Sequence, residues 1–311
     1  MIGQKCKKTF IDLFSGIGGF RLALEKKGLK CVFSSEIDEA AKDVYEKNFG
    51  DRPSGDIRKI KASDIPQHDI LCGGFPCQSF SKSGHNKDFQ DDNGKLFFEI
   101  IRIAYCCRPS ILLLENVPQI LRSRKKPINT ILKKIDQIGY WVYPMLLNAS
   151  HYGVPQSRSR VYFICIRRDL NIKYKKPSPT FEKIYLEDIL EDEADDILFH
   201  KKKNVIIKNK NEGHKLSPIR LGYHSKNQQG NYIYSQKGHA VTLTNRGIQS
   251  GSRNVYLING KFRRLSLTES KRIMGFPDNF IVSKGNQGQK QLGNSVIPTV
   301  IEKVYDGINW R

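Results

Sequence analysis

The sequence predicts an α/β protein with a mostly parallel sheet and a second, small β-rich domain. Three observations predict it. Strand-like runs alternate with helical spacings through the first half of the chain, and those runs are near-continuously apolar, as strands covered on both faces are. Beyond Pro177 and Pro179 the pattern breaks into short strand-like pieces separated by Gly, Asn and Ser.

The elements follow in order. "KTFIDLFSG" reads as a buried strand meeting a glycine-rich turn, and "GGFRLALEKKG" as an amphipathic helix ended by Gly28. "KCVFSSEID" is a second strand and "EAAKDVYEKNFG" a second helix. "HDILCGGFPC" is a third strand running into a loop. "GKLFFEIIRIAYCCRP" is a helix, "SILLLENV" a fourth strand, "PINTILKKIDQIGY" a helix, and "RVYFICIRR" a further apolar strand. An acidic run, "LEDILEDEADD", then precedes the lysine-rich "HKKKNVIIKNKNEGHK". "NYIYS", "HAVTLT" and "NVYLING" are short strands, after which "SLTESKRIMGFPDNF" and "QLGNSVIPTVIEKVYDGI" return to helical spacing.

A chain of 311 residues can bury a sizeable core in one or two domains. No apolar run approaches the roughly 18 residues of a membrane span, and the basic N-terminus lacks a signal core, so a cytoplasmic protein is expected. Seven scattered cysteines, without CxxC or His/Cys ligand spacing, argue against a disulfide framework or a metal site. The net charge of +21 steers the protein toward polyanions, nucleic acid first.

Four stretches carry candidate chemistry. In "DLFSGIGGF" a strand, a glycine turn and a helix offer backbone N–H groups and close approach to a cofactor. Glu36, ending the second strand, can accept from both hydroxyls of a ribose, and Asp56 at the next edge of the crevice from an adenine amino group. In "GGFPCQSFS", Pro76 and a glycine pair hold Cys77 on a stiff turn at a strand's C-terminal end, where its sulfur is reachable as a nucleophile. In "LLLENVP", Glu115 follows four apolar residues, and desolvation there favours its holding a proton. In "GVPQSRSRVYFI", Arg158 and Arg160 alternate along a strand, with Ser157 and Ser159 facing away. Two guanidiniums on one face call for a phosphate or carboxylate between them.

Together and in this order, "FIDLFSGIGGF", "SEID", "GDI", "GGFPCQSFS", "ENV", "QSRSRVYFI", "RRLSLTESKRIMGFPDNF" and "QLGNSVIP" resemble the cytosine-5 DNA methyltransferase family over nearly the whole chain. Its small bacterial type II modification enzymes are the most similar in pattern. The resemblance implies an AdoMet-dependent, Rossmann-like methyltransferase fold with a target-recognition domain. It implies a catalytic domain over 1–186, target recognition over 187–265, a hinge over 266–293, and a C-terminal segment, 294–311, completing the catalytic domain. The partner implied is double-stranded DNA, in a monomeric enzyme free of membranes and associated with the bacterial nucleoid. A cognate restriction endonuclease would act on the same site without forming a stable complex.

The resemblance also implies roles. Cys77 adds to C6 of a flipped cytosine, Glu115 bonds its N3 and amino group, and Arg158 and Arg160 position the base and a mobile loop. Phe14, Gly16, Ile17, Gly18 and Gly19 shape the AdoMet pocket. Glu36 lies at the ribose and Asp56 and Ile57 near the adenine, Asn294 closes the cofactor and cysteine site, and Ile37, Pro76 and Ser295 are further cofactor-binding residues. Ser83, Gln229, Tyr232, Thr242, Arg246 and Arg253 are DNA contacts. Asp88 and Asn93 stand where glycine and arginine are common in the loop motif, and Tyr232 where a base-reading arginine is expected. A tRNA cytosine-5 methyltransferase, and a non-catalytic DNA-binding regulator on the same scaffold, are the alternatives.

Overall fold

The computed structural model describes residues 7–75, 92–123, 126–192, 205–208, 213–223, 231–244 and 255–310, with the backbone alone for 92–94. The first half runs β1 (Thr9–Leu13), α1 (Gly19–Lys26), β2 (Lys30–Ser35), α2 (Glu39–Phe49), β3 (Ile70–Gly74) and α3 (Asp92–Cys107). It continues through β4 (Ile111–Asn116), α4 (Gln119–Arg122), α5 (Pro127–Gln137), β5 (Tyr140–Asn148), β6 (Gln156–Ser157), β7 (Ser159–Arg167) and β8 (Lys173–Tyr174). Then come β9 (Ile206–Ile207), β10 (Arg220–Tyr223), β11 (Tyr232–Ser235), β12 (Ala240–Val241), β13 (Val255–Ile258) and β14 (Lys261–Arg263). The chain closes with α6 (Leu267–Ile273), α7 (Gly285–Asn294), α8 (Pro298–Asp306) and β15 (Ile308–Asn309).

The chain divides into two compact units. The first comprises Met1–Leu147, Ser159–Pro177 and Ile301–Arg311, and the second Asn148–Arg158 and Ser178–Val300.

The first unit is built on a six-stranded sheet of order β2-β1-β3-β4-β7-β5. β1 pairs in parallel with β2 and β3, and β3 with β4, while β7 runs antiparallel to β4. The central strands are apolar on both faces because both faces are covered. Ile11, Leu13, Leu71, Leu112, Leu114 and Phe163 join Phe97, Ile100 and Ile103 of α3 and Ile131 and Ile135 of α5 in one buried core. Parallel pairing places the C-terminal ends of β1 to β4 along one edge of the sheet, where open α/β sheets hold their ligands. α2 starts at Asp38, whose side chain accepts from Ala41 N at 3.0 Å, and stops at Gly50, whose φ of +83° needs no β-carbon.

No strand is expected between "PINTILKKIDQIGY" and "RVYFICIRR", yet β5 forms there at the sheet edge, where a proline is tolerated, and leaves Trp141, Tyr143 and Leu146 exposed.

The second unit carries a five-stranded sheet of order β14-β13-β11-β10-β9 and a two-stranded parallel pair, β12 with β6. Ile219, Leu221, Ile233 and Val255 form its small core. α6 begins with a capping box: Ser266 accepts from Glu269 N at 3.0 Å and Glu269 from Ser266 N at 2.8 Å. Glu269, fully buried, also pairs with both Nη atoms of Arg263 at 2.7 Å.

Candidate active site

The turn after β1 is made by backbone conformations that favour glycine. Phe14, Gly16 and Gly18 have φ of +56°, +53° and +90°. A β-carbon on Gly18 would sit 2.3 Å from the Phe49 ring, whereas the space beside Gly16 is open. Ser15 N donates to Ser35 O, Glu36 N to Ser54 O, and Ser54 N to Ser34 O, so the turn, the end of β2 and the 54–57 segment are laced together by backbone.

Glu36 is held within that lacing. Its Oε2 accepts from Gly16 N at 2.8 Å, and Oε1 accepts from Ile37 N at 2.8 Å and Asp38 N at 2.9 Å. A carboxylate has about four acceptor positions, so capacity remains for a ligand hydroxyl. Ile37 beside it is 65% exposed, an apolar side chain open at the sheet edge, while Ile57 is buried in the core. Gly19 and Ile17 are buried in the start of α1 and the turn. Asp56 caps the short turn that follows it, accepting from Arg58 N at 3.0 Å, and is gripped by the Arg58 side chain at 2.6–3.0 Å. That guanidinium holds the Asp56 carboxyl below the usual range, and it competes with any adenine amino group for the same oxygens.

Two polar groups beneath the turn lie outside the sequence reading. Asp12 is fully buried, with the Arg21 backbone as a hydrogen-bonding neighbour, and among the described residues the Ser15 hydroxyl lacks a partner. Burial pushes the Asp12 carboxyl well above the usual range, against the opposing pull of the Arg21 guanidinium. "FIDLF" reads as a buried strand, and the acid in it was the available signal.

At the end of β4, Glu115 is ion-paired with Arg160, Oε1 to Nε at 2.9 Å. The pairing follows from topology. β7 runs antiparallel to β4 with Glu115 opposite Tyr162 and Asn116 opposite Val161, which brings the start of β7 to the end of β4. Gly74 lies beside Glu115 in the parallel β3–β4 register, and the site of its absent β-carbon is 3.6 Å from the Glu115 carboxylate. A carboxyl at such a strand end is neutralised, paired or held for a ligand, and the structure shows it paired with a guanidinium.

Asn116, to which the sequence reading gave no role, is almost fully buried. Its Nδ2 donates to Phe75 O at 3.1 Å and its Oδ1 accepts from Val117 N at 2.8 Å. It therefore ties the end of β4 to the residue that precedes Pro76 and Cys77.

Arg158 and Arg160 have different partners among the described residues. Arg158 N donates to Gln156 O, two residues back, so the chain turns between β6 and β7 and the alternation of a regular strand fails. The Arg158 guanidinium donates to Leu243 O at 2.7 Å, Gly293 O at 3.0 Å and Ser295 O at 2.9 Å, fastening the end of α7 within the second unit. Asn294, the last residue of α7, is exposed, and Ser295 is buried. The Thr242 hydroxyl donates to Ser157 O at 2.6 Å. Tyr232 lies in β11, half-buried. Pro76, Cys77, Ser83, Asp88, Gln229, Arg246 and Arg253 lie outside the described residues, as does the side chain of Asn93.

Most other cysteines are unlike a reactive thiol. Burial pushes Cys31 up to about 12 and raises Cys72, Cys107 and Cys165 as well.

Known proteins are similar to this chain over most of its length. The Type II methyltransferase M.HhaI of Haemophilus parahaemolyticus is 41% identical over 304 residues, 95% of this chain and 92% of that protein. The Type II methyltransferase M.MspI of a Moraxella species is 38% identical over 96% of this chain and 70% of its own length. The solved structure of the Entamoeba histolytica methyltransferase EhMeth shares the fold, with a TM-score of 0.75 at 20% identity over 97% of this chain and 98% of that one. The family model for C-5 cytosine-specific DNA methylases matches residues 8–310, and the chain belongs to that family.

Proposed function

We propose that this chain is the modification enzyme of a restriction–modification pair. In this reading it methylates C5 of one cytosine within a short sequence of double-stranded DNA, through a covalent bond from Cys77 to C6. The observation that carries the reading is the edge formed by the ends of β3 and β4. Glu115 is oriented there by Arg160, and Asn116 fixes the backbone that leads into Pro76 and Cys77.

The methyl donor fitting the first unit is AdoMet, which supplies an electrophilic methyl group on a sulfonium. The open space at Gly16, the spare acceptor position of Glu36 for a ribose hydroxyl and the exposed Ile37 support it. Phe14, Ile17, Gly18 and Gly19 shape that pocket, with Asp56 and Ile57 at its far edge.

Cytosine C5 is a weak nucleophile. Addition of the Cys77 thiolate across C5=C6 moves electron density to C5 and N3. Glu115, which takes up a proton from solvent as the base enters, gives it to N3, so that the adduct is a neutral enamine. C5 then takes the methyl group. Loss of the C5 proton to a base restores C5=C6 and expels the thiolate, and N3 returns its proton to Glu115. Arg160 fixes the plane of the Glu115 carboxyl through these steps. The target carbon lies inside the base stack of a duplex, so the cytosine must be flipped out to reach Cys77.

The enzyme acts as a monomer in the bacterial cytoplasm, nucleoid-associated through its DNA. Its counterpart is an endonuclease that cuts the same site without a stable complex. Transfer of labelled methyl from AdoMet to mixed-sequence duplex DNA, with tRNA and Cys77→Ala as controls, tests the reading. Labelling of DNA that Cys77→Ala abolishes supports it; labelling of tRNA alone overturns it.

A further inference from the structure

The five-stranded sheet of the second unit has two unlike faces. One face packs Ile219, Leu221, Ile233 and Val255 into the small core. On the other, Arg220 lies opposite Tyr234 and Tyr223 opposite Tyr232 across the antiparallel β10–β11 pair. Residues 220 and 223 are an odd number apart and would face opposite ways on a regular strand. The register shifts between Arg220 and Gly222, and this bulge returns both side chains to one face. Tyr234 lies beside Tyr256 in the parallel β11–β13 pair, extending the row.

The row alternates cations with rings. The Arg220 guanidinium sits 4.1 Å from the centroid of the Tyr232 ring, and the Lys208 ammonium 5.3 Å from that of Tyr223. At one end the face is covered: Tyr256 is buried, its hydroxyl accepting from Val241 N at 3.2 Å. At the other end Arg220 is exposed, and among the described residues no carboxylate pairs with it.

A guanidinium that lies flat on a ring uses its face there and keeps its in-plane N–H fork outward. With its carbon 4.1 Å from the Tyr232 centroid, the Arg220 guanidinium has the ring on one side, which limits how its plane can turn. A restricted plane adds little to a phosphate contact, which charge and reach satisfy, but it is what a paired in-plane recognition needs. Guanine offers such a pair, O6 and N7, in the major groove. We propose that Arg220, held on Tyr232, reads a guanine in the target sequence of this enzyme. The inference rests on the reading of the chain as a DNA methyltransferase.

The test compares wild type, Arg220→Lys, Arg220→Ala and Tyr232→Ala on a randomised duplex library, scoring methylated sequences by conversion sequencing. The salt dependence of binding to the preferred wild-type duplex is measured alongside. Arg220→Lys keeps the charge and loses the fork. It should lower discrimination at a single guanine position roughly ten- to a hundredfold and leave the other positions unchanged. Tyr232→Ala should relax that same position. An unchanged Arg220→Lys profile overturns the proposal. So does an Arg220→Ala variant that weakens all sequences alike while the salt slope drops by about one, because that is the behaviour of a phosphate contact. A wild-type protein that methylates no DNA would instead overturn the underlying reading, and the inference with it.

Discussion

The turn after β1 and the open sheet of the second unit are held by different forces. At the turn, three consecutive demands fall on the backbone: positive φ at Phe14, Gly16 and Gly18, N–H groups aimed at Glu36, and close packing of Gly18 on Phe49. On the open sheet, strands of two to four residues rest on a core of a few side chains, and the chemistry is carried by Arg220 and the tyrosines. A site made by backbone tolerates few residue types, while one made by side chains on a short scaffold can change with its target. In the proposed function, cofactor binding falls on the first kind of site and sequence choice on the second.

That contrast can be broken at several points. The largest effect is expected at Glu115. Glu115→Gln should lower the methylation rate by about 10²–10⁴-fold while cofactor affinity stays within a fewfold, read by single-turnover kinetics and calorimetry. Equal losses of rate and cofactor binding would mean that Glu115 shapes the pocket instead.

At the turn, Gly18→Ala meets both the Phe49 ring and a positive φ, and should destabilise the protein by about 3 kcal/mol in thermal unfolding. Gly16→Ala has open space and should cost only about 1–2 kcal/mol. Equal costs would show that backbone conformation, rather than close packing, dominates there. Arg158→Ala removes three charge-assisted bonds to carbonyls within the second unit, and should cost about 2–4 kcal/mol of stability. Arg160→Ala should act on rate more than on stability.

Glu36→Gln keeps the shape and loses the charge, so cofactor binding should weaken about 10–100-fold with little change in melting temperature. The smallest effect concerns pH. Asp12 is raised in the folded state, so through the window above the ordinary carboxylate range the folded protein binds the extra proton. Stability from this group is therefore lost as pH rises through that window. Asp12→Asn should gain stability relative to the parent with increasing pH, and parallel stability–pH curves would contradict the assignment.

The same contrast accounts for what could be read from the sequence. The strand–helix alternation, the glycine turn with Glu36, and Glu115 at a strand end were legible because each follows from periodicity or from a backbone demand that few residues meet. Four features were not. β5 carries a proline, Pro144, and a strand with proline is tolerated only at a sheet edge, which the order of strands and not the local pattern decides. The different partners of Arg158 and Arg160 follow a three-residue turn at Gln156–Arg158 that no pattern in "QSRSR" signals. Asn116 and Arg220 gain their places from partners distant in sequence, the Phe75 carbonyl 41 residues back and the Tyr232 ring across a bulged pair.

The central claim is that Cys77 bonds covalently to the target cytosine. Its most direct test is a duplex carrying 5-fluorocytosine at the methylated position, incubated with AdoMet. Fluorine at C5 cannot leave as a proton does, so the adduct should persist through denaturation, and peptide mapping should place it on Cys77. An adduct on another residue, or one that Cys77→Ala still forms, would contradict the account.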